Sequence, residues 1–99
     1  MNTVYISIGN SDDKLSQSEW ADYIMAVTSV LSTHHVTIHG LWFSETASPW
    51  QNCCWCVECE DETGVIRGEL GAVAERFRQD SIAWAVAETE FLVGESCHE

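Results

Sequence analysis

The spacing of apolar residues changes along this chain in an order that few folds accommodate. Apolar residues recur first at every second position, then at every third or fourth, then along two stretches at every second position. The helical spacing then returns, and a final stretch alternates again. A period of two is typical of a half-buried strand, and a period near 3.6 is typical of an amphipathic helix. The pattern therefore predicts the element order β-α-β-β-α-β.

The first helix has an explicit start in the sequence. Ser16 is a favourable N-cap, and Glu19 three residues later completes a capping box. An apolar stripe follows at helical spacing, and we expect the helix to end near Thr33 or His34. The stripe consists of Trp20, Tyr23, Ile24, Val27, Val30 and Leu31.

The second helix is predicted to begin at Thr63, a candidate N-cap. Three acidic residues precede it, and their charge suits the positive end of a helix dipole. Arg76 and Arg78 fall in the last turns, where cations are favoured. The buried stripe is predicted to be Ile66, Leu70, Val73, Ala74 and Phe77.

Four strands are predicted near residues 4–8, 36–43, 50–59 and 81–86, and residues 91–93 are a candidate extension of the last one. One face of the sheet is expected to pack beneath the helices. It carries Val4, Ile6, Ile8, Val36, Ile38, Trp42, Trp55, Val57, Ile82 and Trp84. The opposite face is expected to stay uncovered. It carries Tyr5, Ser7, His39, Leu41, Phe43, Cys54, Cys56, Glu58, Ala83, Ala85 and Ala87. Gly40 is a candidate bulge in the second strand.

This order of elements defines an α+β fold, the ferredoxin-like βαββαβ sandwich, in which an antiparallel four-stranded sheet of order 4-1-3-2 carries two helices on one face. The 99 residues are expected to form a single domain, 1–99, with a core over about 3–93 and a loose tail over 94–99. No apolar run approaches the ~20 residues of a membrane span, and no leader pattern precedes the first strand. We therefore expect a cytoplasmic protein without membrane contact.

The charge of the chain restricts its partners. Sixteen acidic residues oppose four basic ones, which gives a formal net charge of −12. Direct binding to nucleic acid is disfavoured, because so few basic side chains cannot form the continuous stripe that phosphate contacts require. A negative potential over so small a protein favours a basic partner, although it also serves colloidal stability.

Four of the five cysteines fall within seven residues, at Cys53, Cys54, Cys56 and Cys59. Four thiolates can enclose zinc, but consecutive residues of one strand point to opposite sides and cannot converge on one ion. We therefore expect reduced thiols and no metal or other cofactor. If a metal binds, its ligands are expected to be Cys54, Cys56 and Cys59. A nucleophilic Cys54 or Cys56 beside His39 is disfavoured, because the charge of Glu58 opposes a thiolate.

The loop after the first strand carries Asp12 and Asp13. It lacks the glycine spacing of a phosphate loop, but two neighbouring carboxylates could bind Mg²⁺ or act as acid and base. Trp50 and Asn52 open the third strand, and Gln79 lies just before the fourth. With the loop they could line a small pocket in which Trp50 stacks on a planar ligand.

These observations favour a small acidic protein-interaction module. Its size and charge are similar to those of phage-encoded accessory proteins and inhibitors. The expected partner is a basic, nucleic-acid-binding protein, and the expected contact surface is the uncovered face with Tyr5, His39, Leu41 and Phe43. The same face offers a route to a homodimer.

Two alternatives stay open. The first is a small-molecule-binding protein or small enzyme that uses Asp12 and Asp13 with Trp50 and Asn52. The second is a cysteine-based metal-binding protein. Between binding and catalysis, the sequence favours binding, since no catalytic motif has the required spacing.

Overall fold

The computed structural model describes residues 2–45 and 48–94, and its elements follow the predicted order. They are β1 (Asn2–Gly9), a 3-10 turn (Ser11–Asp13), α1 (Gln17–Thr33), β2 (Thr37–Phe43), β3 (Asn52–Cys59), α2 (Val65–Arg76) and β4 (Ala83–Ala87). The strands form one antiparallel sheet in the order β2-β3-β1-β4, and both helices pack on one face. The predicted α+β, ferredoxin-like architecture is confirmed.

The core lies between the helices and the centre of the sheet. Ile6 of β1 is opposite Trp55 of β3 on one side and Trp84 of β4 on the other. Trp55 is fully buried, and its indole Nε1 donates a 3.2 Å hydrogen bond to Oγ1 of Thr28 on α1. The buried helix residues all belong to the predicted stripes. They are Trp20, Tyr23, Val27 and Leu31 of α1 and Ile66, Leu70, Val73 and Ala74 of α2.

Helix α1 begins as the sequence predicts. The backbone N–H of Glu19 donates to Oγ of Ser16 over 3.2 Å, and the backbone N–H of Ser16 donates to Oε1 of Glu19 over 3.0 Å. Two N–H groups that the first turn would leave without partners are therefore satisfied.

Helix α2 begins differently from the prediction, which placed its cap at Thr63. The residue before the helix is Gly64, with a φ of 74°, and it provides no side chain for capping. The Asp61 carboxylate takes that role instead, because it accepts 3.0 Å hydrogen bonds from the backbone N–H groups of Ile66 and Arg67. A left-handed glycine turns the chain so that an acidic residue in the preceding loop reaches back to the helix start.

The chain after β4 does not extend the sheet. Residues 88–94 have no regular secondary structure, and Phe91, Leu92 and Val93 are exposed, so the predicted extension of the last strand is wrong. Most of the predicted tail, 95–99, lies outside the described residues. Within the described ranges, neither helix combines the length and apolar character of a membrane span.

Candidate functional site

The side of the sheet away from the helices, which we call the open face, is formed by alternate residues of all four strands. In the centre, Tyr5 of β1 is opposite Cys56 of β3, and Ser7 is opposite Cys54. Directly opposed residues of an antiparallel pair point to the same side, so the predicted faces of β1 and β3 are confirmed. The edge strand β4 adds the predicted strip of Ala83, Ala85 and Ala87. No helix or strand of the described residues lies over this face.

Strand β2 departs from the prediction because of a bulge. Its register with β3 shifts between Ile38 and Gly40, which leaves His39 as the extra residue. Beyond the bulge, Leu41 is opposite Trp55 and Phe43 is opposite Cys53, so both side chains lie on the helix side of the sheet. The prediction that Leu41 and Phe43 belong to the uncovered face is therefore wrong.

Trp42 takes the place on the open face that the sequence assigned to its neighbours. It is opposite Cys54, and 56% of its surface is exposed. Its indole lies over Gly40, which is itself opposite Cys56. Trp42 and Tyr5 therefore stand on either side of the β3 thiols. Sequence reasoning placed Trp42 on the helix side because it continued the alternation through Gly40, the residue it had already marked as a candidate bulge.

The two thiols of the open face are less exposed than the aromatic side chains beside them. Cys56 is 9% exposed and Cys54 is half-buried, whereas Cys53 and Cys59 are buried on the helix side. A hydrogen bond with the Cys56 side chain raises the pKa of Tyr5 above its ordinary value, and the charge of an ionised Cys56 adds to the effect.

The predicted metal ligands do not converge. Cys54 and Cys56 lie on the open face, and Cys59 lies on the other side of the same strand. Across residues 2–45 and 48–94, no group of three or more histidine, cysteine or acidic side chains is placed to hold a metal ion. Cys97 lies outside the described residues.

His39 contacts a carboxylate on the open face. Its Nε2 lies 2.9 Å from Oε1 of Glu58, and both side chains are about half exposed. Among the described strand residues, Glu58 is the one acidic side chain on this face. The strands of the open face therefore contribute a single carboxylate in a chain with a formal charge of −12.

Acidic loops flank the open face at both ends, and we call them the acidic rims. At one end, β3 and β4 finish beside the start of β1, and exposed Glu88 follows β4. Glu60 and Glu62 follow β3 at the same end, where they line depressions on the helix side of the sheet. At the other end, exposed Asp12 follows β1 and exposed Asp80 precedes β4. The fold thus places a surface with two exposed aromatic side chains and a single strand carboxylate between acidic residues at both ends of the sheet.

The loop after β1 is held by a network of buried amides that the sequence analysis did not identify. Nδ2 of Asn10 donates to the Leu15 carbonyl oxygen over 3.0 Å and to Oε1 of Gln51 over 2.8 Å. The backbone N–H of Ser11 donates to Oε1 of Gln79 over 2.9 Å. Asn10 and Gln79 are both buried. Gln79 is therefore a structural residue that joins the loop after β1 to the segment before β4, and it does not line the depression that contains Asp12 and Trp50.

The structure divides the residues of the predicted loop pocket. Asp12, Trp50 and Asn52 line one shallow depression of about 380 Å³, together with Asp80. Asp13 lines a separate depression that includes Trp20, Phe43 and Asn52. The two neighbouring carboxylates therefore open into different spaces, which does not suit a shared Mg²⁺ ion or an acid and base acting on one substrate.

The chain matches no protein-family model, and no curated protein matches it at a significant level.

Proposed function

We propose that this chain is a protein-interaction module that binds a basic partner through the open face and the acidic rims. The observation that carries this proposal is the separation of charge from apolar surface. Tyr5 and Trp42 are exposed on a sheet face with a single strand carboxylate, Glu58, while further acidic residues lie at both ends of the sheet. A surface with an apolar centre and a polar rim is the usual arrangement of a protein-binding site.

The two parts of the surface contribute differently to binding. Burial of the apolar centre supplies affinity at ~25 cal/mol per Å² of apolar area, less the cost of ordering both partners. The rims steer a positively charged protein towards the face and reject acidic ones. A partner that fits this surface has an apolar patch bordered by lysine and arginine, which is the surface chemistry of many nucleic-acid-binding proteins. In that role the module competes with nucleic acid and acts as an inhibitor.

The proposal is tested by comparing two exposed apolar residues. Trp42→Asp places a charge in the open face, whereas Met25→Asp places the same charge on the exposed surface of α1, away from the open face and the acidic rims. We expect Trp42→Asp to abolish the capture of basic proteins from a lysate, as quantified by mass spectrometry, and Met25→Asp to leave it unchanged. Equal capture by both variants would refute the proposal, provided that circular dichroism shows both to be folded.

Salt dependence separates a basic partner from self-association. Two copies that meet through their open faces bury apolar surface but bring two strongly negative bodies together, so salt strengthens the homodimer. The same salt weakens the attraction between the acidic rims and a basic partner. Sedimentation across a salt series distinguishes the two modes, and a monomer at every salt concentration would exclude the homodimer.

A second candidate function is binding of a small planar ligand in the depression lined by Asp12, Trp50 and Asn52. The exposed Trp50 indole favours it, because an indole can stack on a flat ring. Native mass spectrometry of protein purified without chelator tests this candidate and the cysteine-based metal site together. A retained small molecule or metal would support one of them, and a bare chain would leave the interaction module as the better proposal.

A further inference from the structure

The outer edge of β4 lacks the devices by which proteins protect the edges of their sheets. β4 lies at the end of the sheet and pairs with β1 on one side, and no described residue pairs with its other side. The five residues Ala83–Ala87 contain no charge, no proline and no bulge. The opposite edge strand, β2, carries the bulge at His39, which interrupts its ladder. An unprotected edge of this kind presents backbone N–H and C=O groups on which another strand can pair.

The surroundings of this edge specify the chemistry of such a strand. Exposed Asp80 precedes β4, and exposed Glu88 and Glu90 follow it. Within the described residues, none of these three carboxylates forms an ion pair with a basic side chain. The middle of the strand is uncharged and both of its ends are negative, so the matching strand has an uncharged middle and positive ends.

The helix side of β4 offers apolar surface beside the edge. Val86 is 54% exposed although it points to the side on which the helices pack, and Trp84 is only partly covered. The two residues border a depression of about 360 Å³ that also contains Val4 and Arg67. Side chains of an added strand that point to the helix side would lie next to Trp84 and Val86, so valine-sized residues suit those positions.

A second copy of β4 does not fit this edge. Antiparallel pairing centred on Ala85 would bring Asp80 opposite Glu90 of the other copy, and pairing centred on Trp84 would bring it opposite Glu88. Like charges placed opposite each other destabilise a strand pair, so self-pairing is disfavoured at both centres.

We propose that the β4 edge binds an extended peptide segment of a partner protein by strand addition, and that this segment has uncharged β-forming residues at its centre and lysine or arginine at both ends. The inference rests on the proposed function in one respect, the positive charge of the partner. The two proposals differ in the binding site, since strand addition uses backbone groups at the sheet edge and does not require the open face. Because both ends of β4 are acidic, an added strand that runs parallel or antiparallel to β4 places a positive end beside an acidic one.

The test uses a blocked synthetic peptide with alternating valine and threonine between paired lysines. In an added strand, only every second residue points its N–H towards the protein, so two peptides with N-methyl groups on alternate residues behave differently. We expect one N-methylated set to weaken binding by about tenfold or more, through loss of the ladder hydrogen bonds, and the other set to bind nearly as well as the parent in calorimetry. Equal binding by both sets, or equal loss in both, would overturn the inference.

Variants of the protein locate the site. Glu88→Gln removes one charge at the end of β4, and Asp22→Asn removes one charge from the exposed surface of α1 as a matched control. We expect Glu88→Gln to weaken peptide binding several-fold and Asp22→Asn to leave it unchanged. Hydrogen exchange should slow on peptide binding at Ala83–Ala87. Slowing at β2, or equal effects of the two variants, would refute the site.

Strand addition at β4 and partner binding at the open face can be refuted independently. Trp42→Asp lies on the open face, away from the β4 edge, so it should leave peptide binding intact even if it abolishes capture of the basic partner. If Trp42→Asp abolishes peptide binding and the two N-methylated peptides bind equally, the peptide binds on the open face. That result would overturn strand addition and support the proposed function.

Discussion

The Trp42 indole lies so close over Gly40 that a Cβ atom on Gly40 would come within 2.7 Å of Cη2 of the ring. Glycine at position 40 therefore leaves open the space that the Trp42 ring occupies. The bulge at His39 brings Trp42 to the open face, and the absence of a side chain at Gly40 lets the ring lie over this residue, which is opposite Cys56. Two features of a short strand segment together produce the aromatic part of the proposed binding surface.

We expect Gly40→Ala to displace the Trp42 ring at little cost in stability. The new methyl group meets the far end of a flexible, exposed side chain, so the free energy of unfolding should change by less than about 1 kcal/mol. The indole N–H signal of Trp42 in a ¹⁵N spectrum, assigned with Trp42→Phe, should shift clearly. Gly68→Ala is the matched control, because nothing lies within 4 Å of its added Cβ. This substitution should raise the free energy of unfolding by about 0.5–1 kcal/mol, since alanine favours the helix more than glycine does. An unmoved Trp42 signal in Gly40→Ala would contradict the predicted displacement.

The sequence predicted β1, β3 and β4 well because each of them alternates without interruption and pairs in a regular register. The same reasoning failed after Gly40 because a single inserted residue reverses the face of every side chain that follows it. Leu41 and Phe43 were assigned to the uncovered face on that account. Gly40 indicated that a bulge was possible. Sequence spacing alone does not show whether β2 has one residue more than the segment of β3 with which it pairs.

Contacts between distant parts of the chain were also missed. The capping box of Ser16 and Glu19 is local and could be read directly, whereas the cap at the start of α2 depends on the backbone path through Gly64. Asn10 and Gln51 are 41 residues apart, and their hydrogen bond exists only because β1 and β3 pair. Polar residues that join loops in this way look like candidate ligand contacts until the fold is known.

The capping box of α1 gives a prediction about stability. Ser16→Ala removes the hydroxyl that accepts from the Glu19 backbone N–H, and we expect a loss of about 1 kcal/mol in the free energy of unfolding. Chemical denaturation measures the change. Ser18→Ala is the control, since this exposed serine lies inside the first turn and should tolerate alanine without loss. An unchanged midpoint for Ser16→Ala would show that the cap contributes nothing to stability.

The Asp61 carboxylate gives a prediction about pH. Burial by itself would raise the pKa of Asp61, but hydrogen bonds from the Arg67 and Ile66 backbone N–H groups and from the Arg67 guanidinium outweigh it, so the pKa lies below its ordinary value of 3.8. Folding therefore favours the ionised form. The resulting stability is fully present above pH 3.8 and is lost as the pH falls through the lower pKa of the folded state.

We therefore expect Asp61→Asn to destabilise the protein by about 1–2 kcal/mol at neutral pH and to flatten the decline in stability below the ordinary carboxyl pKa. Denaturation curves measured over an acidic pH series test both effects. Glu62→Gln is the control, because it removes a neighbouring charge that accepts no described hydrogen bond from α2. If the stability of the wild type and of Asp61→Asn declines equally as the pH falls, the carboxylate does not cap the helix.

The positions of the four β3 thiols predict an order of chemical modification. Cys54 is half-buried on the open face and should react first with a maleimide, and Cys56, at 9% exposure, should react more slowly. Burial raises the pKa of Cys53 to about 12 with a smaller contribution from the charge of Cys54, and burial also raises the pKa of Cys59. Because the thiolate is the reactive form, these two should react only when the protein unfolds.

The measurement is mass spectrometry of peptides from protein labelled at several denaturant concentrations. A Cys97→Ser background removes the cysteine outside the described residues, so that the label reports on β3 alone. Labelling of Cys53 should follow the global unfolding curve, because its side chain lies beneath the helices. If Cys53 reacts in the folded protein as fast as Cys54, the faces of β3 are reversed. If all four thiols are protected until a chelator is added, they bind a metal, and the open face is not a free surface for a partner.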